Sequence, residues 1–207
     1  DVYKRQVQDM EGEVRGKLRI AFSHHIGLHR LPPYLKRYSQ QYPEVALDID
    51  FVDSDKAYDL VVDGKIELAV ITLTPDAHSD ITSTNLWRDP LCFVCSPEHA
   101  LHLNDNVTLE TLSKYDAILP CESTLTGQIV REAFKEQNLP LKVSMTTIYL
   151  ETIKMMVSIG LGWSVLPKTM TNSLEIMHTQ DVYLERTLGI IEYKNRQLSN
   201  CLLYTSD

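Results

Sequence analysis

Hydroxyl and imidazole side chains cluster where predicted strands give way to predicted helices. The residues are Ser23, His24, Thr72, Thr74, Ser123, Thr124, Thr126 and Tyr149. In open α/β sheets, ligands bind beyond the carboxyl ends of the strands, where helix N-termini offer free N–H groups and a partial positive charge. Such a place binds a carboxylate or a phosphate without a cationic side chain. We therefore predict that these residues contact a small, anionic ligand.

Some of these hydroxyl groups also have a purely structural explanation. Ser23, Thr126 and Thr147 are each placed to be a helix N-cap, which stabilises a helix by about 1 kcal/mol. The two roles are compatible, because a cap lies at the mouth of the same helix that would face the ligand. Both explanations stay open at this point.

Metal, redox and catalytic sites have weaker support. His25 and His29 are four residues apart and could present two imidazoles to one metal, but no nearby carboxylate or thiol completes the set, so we predict no metal and no other cofactor.

Cys92 and Cys95 form a C-x-x-C pair, yet an offset of three in a strand points their side chains to opposite faces, which favours buried thiols. Ser23 and His24 are adjacent, but no acidic residue that would orient the histidine is recognisable. No nucleophile elbow or phosphate-binding glycine loop is present either. The chain is therefore not predicted to be an enzyme.

Composition narrows the class of protein. The chain has 207 residues, of which 43% are hydrophobic and 23% charged, as expected for one soluble domain or two small lobes. Its formal net charge of −8 repels phosphate, which argues against a nucleic-acid-binding face in this segment. Four cysteines without a secretory leader indicate reduced thiols and a cytoplasmic location, and no apolar run is long enough to cross a bilayer.

The elements that must position these residues alternate along the chain in the manner of an α/β sheet with crossover connections. Strands are predicted at 17–22, 45–52, 67–73, 89–97, 116–119, 142–145, 163–167 and 182–193. Helices are predicted at 28–42, 54–64, 127–138 and 149–159. Within the first helix, an apolar stripe is predicted to pack in the core; it comprises Leu28, Leu31, Leu35, Tyr38 and Tyr42.

Five sequence motifs occur in the order expected for one known family. They are Gly-Lys-Leu-Arg-Ile-Ala at 16–21, Leu-Pro-Pro at 31–33, Gly-Lys-Ile-Glu-Leu-Ala-Val at 64–70, Pro-Leu-Cys-Phe-Val-Cys-Ser-Pro at 90–97 and Gly-Leu-Gly-Trp-Ser-Val-Leu-Pro at 160–167. Together, these motifs resemble the effector-binding domain of LysR-type transcriptional regulators over residues 16–200. The resemblance is specific because all five motifs keep their order and separation.

This resemblance implies an α/β fold of the type 2 periplasmic-binding-protein class, with two Rossmann-like lobes, a two-strand hinge and an inducer cleft between the lobes. Lobe I is expected at 16–91 plus 187–200, and lobe II at 92–186. Residues 1–15 combine adapter-like sequence with the end of a linker helix, and residues 201–207 are an adapter-like tail.

The same resemblance implies a sensor of a small-molecule effector. DNA would be bound only by an N-terminal winged helix-turn-helix that this segment lacks, and no membrane would be involved. Self-association as a dimer or tetramer is expected to join the 28–42 helix to the second lobe of a partner. Two other classes stay open, namely a solute-binding protein of a transporter and an enzyme on the same fold.

Overall fold

A computed structural model describes residues 14–75, 79–103, 107–179, 182–194, 196 and 199–203. The strands are β1 (Gly16–Phe22), β2 (Val45–Phe51), β3 (Leu68–Thr72), β4 (Ile81–Cys95), β5 (Ala117–Pro120), β6 (Val143–Thr147), β7 (Ser164–Pro167), β8 (Glu175–Met177) and β9 (Leu184–Tyr193). The helices are α1 (His24–His29), α2 (Pro32–Gln41), α3 (Ser54–Val62), α4 (Leu109–Leu112), α5 (Leu125–Glu136), α6 (Leu150–Ser158) and α7 (Asn200–Leu203). Short 3-10 turns lie at Ala100–Leu103 and Lys168–Met170.

The chain divides into two compact units. Unit 1 runs up to Leu86 and resumes at Leu188, and unit 2 is Trp87–Thr187. The backbone therefore passes between the units twice, once within β4 and once within β9. The sequence analysis placed the boundaries between lobe I and lobe II at 91/92 and 186/187. The division into two functional lobes stays a prediction.

Unit 1 is built on a sheet with the order β2-β1-β3-β9. Strand β1 is parallel to both β2 and β3, whereas β9 is antiparallel to β3. Helix α3 covers this sheet, because Ala57 and Val61 of the helix share a core with Ile71 of β3 and Ile191 of β9. The parallel strands β1, β2 and β3 end together, and we call this end the carboxyl edge of unit 1.

Unit 2 also places parallel strand ends at one edge. Strand β5 is parallel to β6, a parallel bridge joins Ala117 to Trp163 just before β7, and β4 is antiparallel to β7. Val165 belongs to a core cluster with helix α5, and Leu166 to a cluster with helix α6, so the two helices cover opposite faces of β7. The end at which β5, β6 and β7 stop is the carboxyl edge of unit 2.

The predicted helix at 28–42 is wrong in one respect, because the chain breaks there into α1 and α2. Pro32 and Pro33 open α2, as expected for residues that lack an N–H and cannot continue a preceding helix. The predicted stripe is also only partly in the core. Leu31 is 7% exposed, Leu28 is 57% exposed, and α2 itself contains no buried residue.

The segment set aside as an adapter-like tail begins with packed structure. Cys201 in α7 is buried, its carbonyl accepts a hydrogen bond of 2.7 Å from the hydroxyl of Tyr38, and its thiol lies 3.6 Å from the carbonyl of Arg15. Burial, with nearby acidic groups, raises the pKa of Tyr38 to about 12. These contacts attach α7 to the α2 side of unit 1.

Candidate functional site

Ser23 lies at the carboxyl edge of unit 1, directly after β1. It is the N-cap residue of α1, but its side chain makes no capping hydrogen bond. Its hydroxyl lies 3.3 Å from the hydroxyl of Ser54, the first residue of α3. Ser23 is therefore not the side-chain cap that the structural explanation requires, and its buried hydroxyl faces a second hydroxyl from the neighbouring helix.

The other three predicted residues of unit 1 lie at or just after the ends of β1 and β3. Thr72 ends β3 at the same edge and is buried. Thr74, two residues later, is oriented by its hydroxyl, which donates to the Tyr58 hydroxyl at 3.4 Å. His24 stacks on Phe51 with ring centroids 5.9 Å apart. Unit 1 thus brings all four of its predicted residues to the strand ends that the sequence indicated.

Thr124 opens α5 at the carboxyl edge of unit 2, and both functions of its hydroxyl are used locally. The oxygen accepts from the Gly127 N–H at 3.1 Å, and the hydroxyl donates to the Cys121 carbonyl at 2.8 Å. Thr124 is therefore the N-cap of α5, whereas Thr126, for which capping was considered, is not. The hydroxyl proton of Thr124 is therefore already donated to the backbone and is not available to a ligand.

Thr126, in the first turn of α5, contacts a buried ion pair. Nη1 of Arg186 donates to the Thr126 hydroxyl at 2.7 Å, and Nε of Arg186 donates to Oδ2 of Asp89 at 2.9 Å. The side chains of Arg186 and Asp89 are 3% and 1% exposed. The hydroxyl oxygen of Thr126 accepts a hydrogen bond from the guanidinium. The hydroxyl proton of Thr126 therefore points away from Arg186 and can donate to another group.

The loop that leads into α5 is held by Arg131. Nη1 of Arg131 donates to the carbonyls of Pro120 and Gly127, each at 3.0 Å, and Nε pairs with Glu122 at 3.0 Å. Gly127 packs so closely on the carbonyls of Pro120 and Cys121 that a Cβ atom would overlap them. The α5 N-terminus is therefore fixed before any ligand arrives, which lowers the entropic cost of binding.

Ser123 and Tyr149 complete the predicted set in unit 2. Both are exposed; Ser123 precedes the cap of α5, and Tyr149 is the N-cap residue of α6 without a side-chain capping bond. The N–H of Tyr149 donates to the Thr147 hydroxyl at 3.3 Å, so Thr147 organises this turn as an acceptor. The first turn of α5 contains no acidic residue, whereas that of α6 contains Glu151, and α5 is thus the better anion-binding terminus.

The two cysteines of the C-x-x-C pair lie on opposite sides of β4. Cys95 lies in the core cluster with α5, and Cys92 packs against the cluster with α6, so the two thiols point to opposite faces as predicted. Burial raises the pKa of both, that of Cys95 to about 11. Among the described residues, no group of three or more His, Cys, Asp or Glu side chains is arranged to hold a metal ion.

Two features of the candidate site were not predicted from sequence. Ser54 is of a residue type that often caps helices, but Asp53 takes the N-cap position of α3, and the Ser54 hydroxyl lies beside that of Ser23. Asp89 and Arg186 are 97 residues apart, and no motif links them. Both residues have a charged neighbour in their own strand, Arg88 and Glu185, so the local sequence did not distinguish them.

Comparisons with known proteins agree on one family. The family model described as the LysR substrate binding domain matches residues 11–203. The HTH-type transcriptional activator CmpR of Synechocystis sp. strain PCC 6803 is 25% identical over 205 residues, covering 96% of this chain and 67% of that protein. The chain spans between 50% and 68% of the length of three curated relatives that it matches, all named as transcriptional regulators or activators. None of the described helices combines the length and the apolar character that crossing a bilayer requires.

Solved structures show the same fold. The effector binding domain of QuiR in complex with shikimate matches with a TM-score of 0.79 at 17% identity, covering 92% of this chain and 97% of that one. The Synechocystis PCC6803 CcmR regulatory domain in complex with 2-PG matches with a TM-score of 0.81 at 19% identity, covering 93% of each chain. The predicted α/β fold of the type 2 periplasmic-binding-protein class is confirmed.

Proposed function

The chain belongs to the LysR substrate binding domain family, and on this premise we propose that it senses a small anionic effector for a longer transcription regulator. DNA would be bound by a helix-turn-helix domain outside this segment. The observation that carries the proposal is the N-terminus of α5, which is rigid, free of acidic residues in its first turn and bordered by hydroxyl groups.

The unit 2 edge suits an anion for electrostatic reasons. The first N–H groups of a helix carry a partial positive charge that stabilises a carboxylate or phosphate. Thr126 adds a donor, because its oxygen is already occupied by Arg186. Arg186 itself is neutralised by Asp89, so the attraction comes from oriented dipoles and not from a free cation.

The unit 1 edge offers a second set of donors. Ser23, Ser54 and Thr72 lie at the ends of neighbouring strands or at the helix that follows them. A hydroxyl group both donates and accepts, so this set suits a polyhydroxylated or carboxylated molecule. That the two edges share one effector across an inter-lobe cleft stays a prediction of the sequence.

Similar domains support a small-molecule effector. QuiR was solved with shikimate and CcmR with 2-PG, and both match this chain over more than nine-tenths of its length. We propose that this chain takes a ligand of comparable size, that it is not an enzyme, and that it acts in the cytoplasm.

We also propose self-association as a dimer or tetramer. Leu28 is 57% and Tyr34 53% exposed beside the apolar face of α2, and Met155 and Ile159 of α6 are 48% and 62% exposed. A second copy of this chain, with its α6 against α2, would cover both surfaces. Size-exclusion chromatography with light scattering at micromolar concentration should show a dimer or larger; a strict monomer would contradict it.

Thermal unfolding in the presence of small acids tests the effector proposal. The probes are shikimate, benzoate, amino acids and inorganic phosphate at millimolar concentration. A ligand at a hundred times its dissociation constant stabilises the folded state by about 2.7 kcal/mol, so a true effector raises the melting temperature by several degrees.

A matched pair of variants locates the site. Thr124→Val and Thr108→Val each remove the side-chain cap of a helix in unit 2, at a cost of about 1 kcal/mol. Thr124 lies at the carboxyl edge, whereas Thr108 begins the helix that leads into the other end of β5. The effector-induced shift should shrink in Thr124→Val and persist in Thr108→Val. Equal shifts in both variants would place the ligand elsewhere.

A further inference from the structure

The guanidinium of Arg186 connects three segments of unit 2. Arg186 lies on β9, and its side chain donates to Asp89 on β4 at 2.9 Å and to Thr126 on α5 at 2.7 Å. All three residues are buried, with exposures of 6% for Arg186, 1% for Asp89 and 3% for Thr126. The contact is therefore shielded from water, where charge-assisted hydrogen bonds are strongest.

The position of this network along the chain is informative. Unit 2 begins at Trp87 and ends at Thr187, so Asp89 follows the first crossing closely and Arg186 directly precedes the second. The ion pair ties the unit 2 ends of the two crossing segments to one another. Through Thr126, it also ties both segments to the first turn of α5.

Stability alone does not account for such a network. Buried ion pairs often contribute no more stability than well-packed apolar side chains of the same volume. A guanidinium, however, fixes two acceptors in one plane at a set angle. The arrangement therefore specifies the relative position of three segments.

We propose that Arg186 is a positioning residue that makes the α5 first turn and the two crossing segments respond as one element. A displacement of Thr126 is then transmitted to β4 and β9, where the backbone passes between the units. The link to an effector rests on the function proposed above. The mechanical coupling does not, so it can be tested on the unliganded chain.

Hydrogen exchange followed by mass spectrometry measures the coupling. Thr126→Val removes the hydroxyl with little change in volume, and the lost charge-assisted bond should speed amide exchange about tenfold in residues 184–187 and 87–91 as well as in 125–128. Thr126→Ser keeps the hydroxyl and should restore wild-type exchange in all three segments. Thr124→Val, which removes the cap of the same helix without touching Arg186, should speed exchange in 125–128 alone.

Arg186→Lys supplies an independent check that keeps the buried positive charge beside Asp89. A single ammonium group does not reproduce the two-pronged geometry, so this variant should show the exchange pattern of Thr126→Val. Adding Thr126→Val to Arg186→Lys should change that pattern less than twofold. The proposal is overturned if Thr126→Val affects only 125–128, if exchange rises equally throughout unit 2, or if the two substitutions have independent effects.

Discussion

The guanidinium of Arg196 occupies the space that a side chain on Gly64 would need. A Cβ atom at Gly64 would lie 2.5 Å from Nη2 and 3.2 Å from Cζ of Arg196. Nη1 of the same guanidinium donates to the carbonyls of Val61 and Ile66 at 3.3 Å and 3.1 Å, on either side of the turn that ends α3. Gly64 and Arg196, which are far apart in sequence, thus form one cap at the C-terminus of α3.

Gly64→Ala should lower the free energy of unfolding more than Gly160→Ala does. Both glycines have a positive φ, +74° and +82°, but nothing lies within 4 Å of a Cβ at Gly160. Each alanine costs about 1–2 kcal/mol for the left-handed conformation, and Gly64→Ala should cost roughly a further 1 kcal/mol through the displaced Arg196 bonds. Urea unfolding measures both. In an Arg196→Ala background, Gly64→Ala should lower the free energy of unfolding no more than Gly160→Ala does. If Gly64→Ala still costs about 1 kcal/mol more, this explanation is contradicted.

Gly127→Ala should destabilise the protein, although alanine is the better helix former. Glycine to alanine inside a helix usually gains up to about 1 kcal/mol. Here, the new methyl group overlaps the backbone carbonyls of Cys121 and Pro120, and overpacking against backbone costs roughly 1–3 kcal/mol. A melting temperature at or above that of wild type would show that the loop before α5 is not held as described.

His99 should make stability decrease as the pH falls below 6.5. Burial lowers the pKa of His99 from 6.5, and its Nδ1 accepts from the Leu101 N–H at 3.2 Å, which requires the neutral ring. In the unfolded chain, the imidazole binds a proton more readily, so this contribution is complete above pH 6.5 and is lost below it. Unfolding free energies at pH 7.5 and pH 5 should differ less in His99→Gln than in wild type. An equal difference in both would assign the effect to other groups.

Cys95 should resist alkylation in the folded protein. Its side chain is fully buried and its pKa is raised to about 11, so at pH 8 only about a thousandth of it is thiolate even before access is considered. Iodoacetamide followed by mass spectrometry should leave Cys95 unmodified in buffer and modify it in urea. Rapid modification in buffer would revive the redox role that the C-x-x-C spacing first suggested.

Much of the fold could be predicted because the chain alternates regularly between strand-like and helix-like patterns. The hydroxyl groups of the candidate site follow for the same reason, since parallel strands bring residues such as Ser23 and Thr72 to one edge. Motif order then identified the family without any knowledge of the packing.

The parts that could not be predicted depend on contacts between distant residues. The Asp89–Arg186 pair requires the positions of β4 and β9 in unit 2, which side-chain periodicity does not encode. Ser54 looked like a cap because its type suits that role, and only the proximity of β1 to α3 gives it Ser23 as a partner. The break before α2 was signalled by Pro32 and Pro33, but the apolar spacing across them favoured a single helix.

A hydrogen-exchange footprint of the bound effector tests the central claim most directly. The compound that raises the melting temperature most is added at saturation, and amide exchange is compared with and without it. Protection should increase at residues 23–28, 54–57 and 124–128, which lie at the carboxyl edges of the two units. Protection confined to other segments, such as 108–116 at the opposite end of β5, would contradict effector sensing at these strand ends.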